Sequence, residues 1–283
     1  MVAAHVAARA GVVGGEGIVV RVIVVHAGWV PERQATLARL LGQLHDPIVL
    51  SSRRPERATV WARRAWEVAE DLDEPVAILN DDVTVCPAFQ DVCDSVAAAA
   101  PGRTISLHTS LPGSARVPGA WLRTYWLTGP GYILPRGVPT QLLDYWATLP
   151  PGFGPNEDNV AIAWAWSRQE PFWSTVPALV EHDTSTRSTL GYDDHPMRSP
   201  VVTWRDRDPA AIDWSVGADR PPYLENPWAQ GPRLENQRSV LLSGKACSIC
   251  FARVAVAGMQ GHEFCGPCLA KFVGPLLNSV RVG

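Results

Sequence analysis

Apolar and polar positions along the first third of the chain write a strand and then a helix, repeatedly. Residues 19–25 are apolar except for Arg21. Such a run suits a buried strand and falls far below the roughly 20 residues that a membrane helix needs. Leu37, Leu40, Leu41 and Leu44 then recur at helical spacing, and Asp46-Pro47 closes that helix. Residues 48–50 form a second strand, and Ser51-Ser52-Arg53-Arg54-Pro55 forms a polar turn. A second helix places Trp61, Ala65, Val68 and Leu72 on one face, and residues 76–79 make a third strand. Strands joined in succession by helices predict an α/β fold. Its mostly parallel, Rossmann-like sheet is flanked by helices and collects ligands at the C-terminal edge of its strands.

The pattern continues with a helix over 89–100 and a strand over 104–108, followed by a Pro- and Gly-rich loop over 111–119. Residues 127–135 predict a strand opened by Gly129 and Gly131, which leave room for close approach of a substrate. A helix starts at Pro139. After a turn ending in Asn156, Glu157 and Asp158 head an apolar helix through Val160, Ile162, Trp164 and Trp166. There the two acids either cap the helix, as its dipole favours, or face a site. Residues 172–183 predict a single last strand, which delivers His182 as it leaves the sheet.

Periodicity fades beyond residue 195. Four segments follow: a loose leader over 1–17, an α/β domain over 18–195, a Pro- and Trp-rich extended segment over 196–243 that packs on the core, and a C-terminal module over 244–283. The leader lacks a cationic start, an unbroken apolar stretch and a cleavage site, so it does not read as a secretion signal. A cytoplasmic, non-membrane protein is expected.

Composition narrows the function little. With 283 residues, 46% hydrophobic and 19% charged, the chain has enough material for a full core. A net charge of −3 gives no global field for nucleic acid.

Two features carry chemistry. In Ile78-Leu79-Asn80-Asp81-Asp82-Val83, a strand ends in adjacent carboxylates, an arrangement suited to holding a divalent cation against a diphosphate. His182 is either an ordinary surface or core histidine or a further ligand of that cation. The second feature is Cys247-x2-Cys250 and Cys265-x2-Cys268, two knuckles separated by fourteen residues. Each short loop points two thiolates at one tetrahedral ion, so structural Zn2+ is expected over two disulfides. A short strand over 251–256 and a small helix from Leu269 fit a zinc-ribbon or treble-clef unit. Its cations Lys245, Arg253, Lys271 and Arg281 outnumber Glu263, which suits nucleic-acid contact as well as simple stabilisation of the C-terminus. Cys86 and Cys93 read as buried thiols.

Taken in order, four elements resemble bacterial and phage glycosyltransferases of the GT-A fold over roughly residues 18–195. They are Trp61-Ala62-Arg63-Arg64-Ala65-Trp66; Ile78 to Val83 with Cys86-Pro87; Asn156-Glu157-Asp158; and Val176 to His182 with Ser188-Thr189-Leu190-Gly191. The resemblance implies a nucleotide-diphosphate-sugar donor and Mn2+ or Mg2+ at the acidic motif. The family pattern is Asp-any-Asp, and Asn80 stands in its first position here. Asp82 is therefore the expected metal ligand, with Asp81 beside it or on the ribose, and His182 matches the histidine that completes such sites. Asp158 or Glu157 matches the general base acting on the acceptor hydroxyl. His26, Ala27, Gly28, Arg33, Ser51, Ser52, Asn80, Asp81 and Gly131 are expected to cradle the donor. The acceptor is a hydroxymethylated base in phage-type DNA, a carbohydrate or a protein. A non-catalytic adaptor on a degenerate fold and a nucleotidyltransferase are the alternatives.

Overall fold

The structure is a computed structural model. It describes residues 18–56, 58–111, 114–115, 117, 119–149, 157–168, 170–183, 185–186 and 199–218, with short strands at 224–225, 257–259 and 262–264. Strand β1 (Arg21–His26) lies between β2 (Ile48–Ser51) and β3 (Val76–Asn80), parallel to both. Helices α1 (Arg33–Leu41) and α2 (Ala58–Leu72) make the crossovers. The sheet then extends through β7 (Gly131–Leu134), β5 (Ile105–Ser106), β8 (Phe172–Thr175), β6 (Trp121–Thr124) and β10 (Leu224–Glu225). Among the described residues, five of its eight strands share the direction of β1, while β6, β7 and β10 run against it.

Alternation along the central strands fills both faces. Ile23, Val76 and Ile78 point to one side, under α2, α4 (Val138–Ala147) and α5 (Glu157–Arg168). Val22, Val24, Ala77 and Leu79 point to the other, where they meet Leu37 and Leu40 of α1 and Phe89, Val92 and Cys93 of α3 (Phe89–Ala99). Trp66 is fully buried, and its Nε1 donates to Tyr132 Oη at 3.0 Å. Residues 199–218 lie against the second face: Trp214 is buried edge-on against Trp121, whose Nε1 donates to the Trp214 carbonyl at 2.8 Å. Cys86 and Cys93 are buried and unpaired with each other. Burial pushes the Cys86 thiol up to about 12 and the Cys93 thiol well above its ordinary range.

Two expectations change. The single strand over 172–183 is two, β8 and β9 (Val180–His182), separated at Val176-Pro177, where proline supplies no N–H to continue a ladder. β9 leaves the main sheet and pairs antiparallel with β4 (Val83–Val85), a strand that directly follows the acid pair. The strand over 104–108 shrinks to two residues. In the C-terminal module the described residues form an antiparallel pair, β11 (Ala257–Met259) and β12 (His262–Phe264), and the strand expected over 251–256 lies outside the described residues. Cys247, Cys250, Cys265 and Cys268, Asn156 and the turn before it, and residues 187–198 lie outside the described residues.

Candidate active site

Strands β1, β2 and β3 end together, and their ends carry His26, Ser51 and Asn80-Asp81-Asp82. Asp81 N–H donates to the Val25 carbonyl at 3.0 Å, which ties the acid pair to the end of β1. Asp81 and Asp82 are 1% and 4% exposed, so their charges need partners. Arg33, in the first turn of α1, supplies one. Its NH1 lies 2.5 Å from Asp81 Oδ1 and its NH2 2.7 Å from Asp82 Oδ2. The planar guanidinium thus joins both carboxylates, which a lysine ammonium does less well.

The two acids are not equivalent. Asp81 Oδ2 also meets His26 Nδ1 at 2.7 Å and accepts from the Ala27 N–H at 2.8 Å. The other ring nitrogen of His26 lies 3.0 Å from Gln34 Nε2. Both oxygens of Asp81 are therefore occupied by protein donors. Asp82 Oδ1, in contrast, is buried with no hydrogen-bond partner among the described residues. The β4–β9 pairing sets Val83 opposite His182, brings the Asp183 N–H to the Asp82 carbonyl at 2.7 Å, and leaves His182 Nδ1 3.7 Å from Asp82 Oδ2.

The donor chemistry fits a divalent ion in part. Asp82 and His182 are the residues that would hold it, with substrate phosphates and water completing the shell, as Mg2+ commonly requires. The Asp81 oxygens, also expected to ligate, are met by Arg33, His26 and the Ala27 N–H. Among the described residues no three His, Cys, Asp or Glu side chains converge into a self-sufficient metal cage.

The strand-opening glycines have different surroundings. A Cβ on Gly131 would stand 2.9 Å from Leu79 Cδ2 and 3.0 Å from Val180 Cγ2, so its missing side chain admits neighbouring core residues. Gly129 faces the site: a Cβ there would lie 3.2 Å from Glu157 Oε1 and 3.8 Å from Asn80 Nδ2. Gly28 is similarly confined, by the Ser52 carbonyl at 2.6 Å and Ser51 Oγ at 2.7 Å. Ser52 is buried, its N–H bonded to the His26 carbonyl at 3.1 Å and its hydroxyl to the Arg54 carbonyl at 2.7 Å, whereas Ser51 is exposed at the rim.

Glu157 closes the far side of this edge. Burial, reinforced by the Asp158 carboxylate, pushes its carboxyl from 4.5 up to about 8, against a backbone hydrogen bond that lowers it. The residue as a whole is still partly exposed. The same two acids help hold the buried Tyr132 phenol well above its ordinary range, after burial itself.

Sequence reasoning overlooked His108. It is buried behind His182, ring centroids 5.8 Å apart and edge-on, with Nδ1 3.2 Å from Thr128 Oγ1. Its position at the end of β5 was the available signal. Gln34 was also overlooked, although it stands directly beside Arg33 on α1.

No family model matches the chain, and no curated protein matches it. Among solved structures, a glycosyltransferase involved in the glycosylation of the major capsid of PBCV-1 aligns over 64% of this chain and 92% of its own, at 12% identity and a TM-score of 0.31. UDP-glucose pyrophosphorylase complexed with UDP-glucose aligns over 62% of this chain and 97% of its own, at 10% identity and a TM-score of 0.34. Similarity of this degree assigns no activity, which leaves the function to the chemistry of the site. No helix among the described residues is long and apolar enough to cross a membrane.

Proposed function

We propose that the chain is a nucleotide-sugar-dependent transferase that moves a sugar from a nucleotide-diphosphate-sugar to an acceptor hydroxyl. The observation that carries this reading is the buried Asp82 Oδ1, unpartnered among the described residues, on the same sheet edge as Glu157, whose carboxyl is pushed up to about 8. In the transfer, the bond from the anomeric carbon to the diphosphate oxygen breaks and the nucleoside diphosphate leaves with the electron pair. The acceptor oxygen forms the new bond, and its proton passes to a carboxylate. Glu157, with an affinity for protons close to working pH, is suited to that last role, and Asp158 beside it sustains its raised proton affinity. A divalent ion, when bound, supplies charge neutralisation on the departing diphosphate. Asp82 and His182 would hold it, while Asp81 keeps Arg33 and His26 in place. The loops carrying Ala27, Gly28, Ser51 and Ser52 form the side of the edge where a nucleotide would lie.

A finer proposal concerns the acceptor. Cys247, Cys250, Cys265 and Cys268 flank the β11–β12 hairpin in the chain, a sequence order that supports a zinc-held module. With its excess of cations, that module is suited to present DNA carrying hydroxymethylated bases, carbohydrate or protein being the other acceptors.

The test is a panel of sugar nucleotides with and without Mn2+, read by thermal shift and by released product. Stabilisation by one donor and release of nucleoside diphosphate are expected. Pyrophosphate release from an added nucleoside triphosphate and sugar 1-phosphate would instead mark a nucleotidyltransferase. Absence of binding to every donor, with no turnover in wild type or Asp82→Ala, would leave an adaptor. Added mass on hydroxymethylated DNA tests the acceptor, and zinc content of wild type against Cys247→Ser tests the module.

A further inference from the structure

Arg33 is in direct contact with Asp82. It is 5% exposed, and its guanidinium spans the acid pair. Its two carboxylate contacts are unequal in consequence. If Arg33 withdrew, Asp81 would retain His26 and the Ala27 N–H. Among the described residues, Asp82 would retain only the imidazole of His182, at 3.7 Å, as a nearby ionisable partner of its carboxylate. Asp82 Oδ1 already lacks a hydrogen bond, so the carboxylate is incompletely satisfied even with Arg33 in place.

The geometry points to Arg33 as an internal cation that competes with a divalent ion for Asp82 and holds the ion affinity of the free protein low. The physical ground is that a guanidinium on one oxygen and an ion on the other would share a single buried carboxylate. Two cations there repel in a medium that screens them poorly. Withdrawing the guanidinium removes that repulsion and leaves Asp82 without its charge-assisted donor. Asp81 acts as the anchor to which Arg33 stays attached, and Asp82 is the acid over which the two cations compete. The inference rests on Asp82 being the ion ligand of the proposed site.

Mn2+ titration of the full chain without nucleotide tests it, with free Mn2+ followed by electron paramagnetic resonance. Binding elsewhere is subtracted with matched Asp82→Asn proteins. Arg33→Gln is expected to bind Mn2+ at least about tenfold tighter than wild type, the scale of one lost charge-assisted hydrogen bond. The gain should vanish in Arg33→Gln/Asp82→Asn. Should Arg33→Gln alone fail to fold, Arg33→Gln/Asp81→Asn removes one of the stranded carboxylates and should show the same gain. Equal, Asp82-dependent affinity in wild type and the Arg33 variants would overturn the competition while leaving Asp82 as a ligand. Absence of Asp82-dependent binding in every protein would overturn the inference together with the ion assignment. Failure of the transferase reading shows separately, as no sugar-nucleotide binding.

Discussion

Replacing Glu157 with glutamine should change how stability depends on pH. In the unfolded chain this carboxyl titrates near 4.5, and in the fold it holds its proton to about 8, chiefly because of burial and then because of the Asp158 carboxylate. Between those values the folded state binds the extra proton. The stability that comes with it is complete below about 4.5 and is lost as pH rises through about 8. Glutamine keeps nearly the same shape, is neutral throughout and has no such loss. At about 1.4 kcal/mol per pH unit, the interval sets a ceiling near 5 kcal/mol on the wild-type loss. Glu157 is partly open to solvent, and screening brings the expected effect to roughly 1–3 kcal/mol. Urea unfolding of both proteins at about pH 5, 7 and 9 measures it. The curves should nearly coincide at the acid end, with Glu157→Gln more stable at the alkaline end. A stability difference that stays constant across that range would refute the raised proton affinity. If Glu157 also accepts the acceptor's proton, turnover should rise through about pH 8 in wild type and lose that limb in Glu157→Gln.

Other expectations follow from packing and from the acid pair. Gly131→Ala places a methyl 2.9 Å from Leu79 Cδ2 and should cost about 1–3 kcal/mol of stability by chemical denaturation, without changing ion binding. Trp66→Phe removes the donor to Tyr132 Oη and some core volume. A double-mutant cycle with Tyr132→Phe should assign about 1 kcal/mol to the pair. Asp82→Asn should lower turnover on the order of 100-fold or more in a donor-release assay, with the circular-dichroism spectrum retained. A fall of less than about threefold would remove Asp82 from the site.

The path from β1 to β3 was legible because each apolar run is bounded by Pro, Asp or Gly and each helix shows its own period. The short strands were not. β4 and β9 have three residues each, too few for periodicity, and they exist because they pair across nearly a hundred positions. That pairing is what brings His182 to Asp82, so the resemblance suggested their association while local patterning alone did not. Arg33 shows the same limit from another side. Its number placed it after the first strand, where a donor-binding residue was expected, but its partners lie 48 and 49 positions away. Only the fold makes it the counter-charge of the acids.

Strand direction explains the glycines. In a wholly parallel sheet the ligand edge is built from C-terminal strand ends, and Gly129 and Gly131, at the N-terminal end of their strand, would lie at the opposite edge. β7 runs antiparallel between β3 and β5, pairing Gly131 with Leu79. Its N-terminal end consequently meets the C-terminal end of β3, and the Asn80 N–H donates to the Pro130 carbonyl at 3.1 Å. One reversed strand therefore turns Gly129 toward Asn80 and Glu157 while Gly131 is filled by Leu79 and Val180. Two glycines with the same sequence signal thus take different roles, because the first lies beyond the strand and the second is the first residue within it.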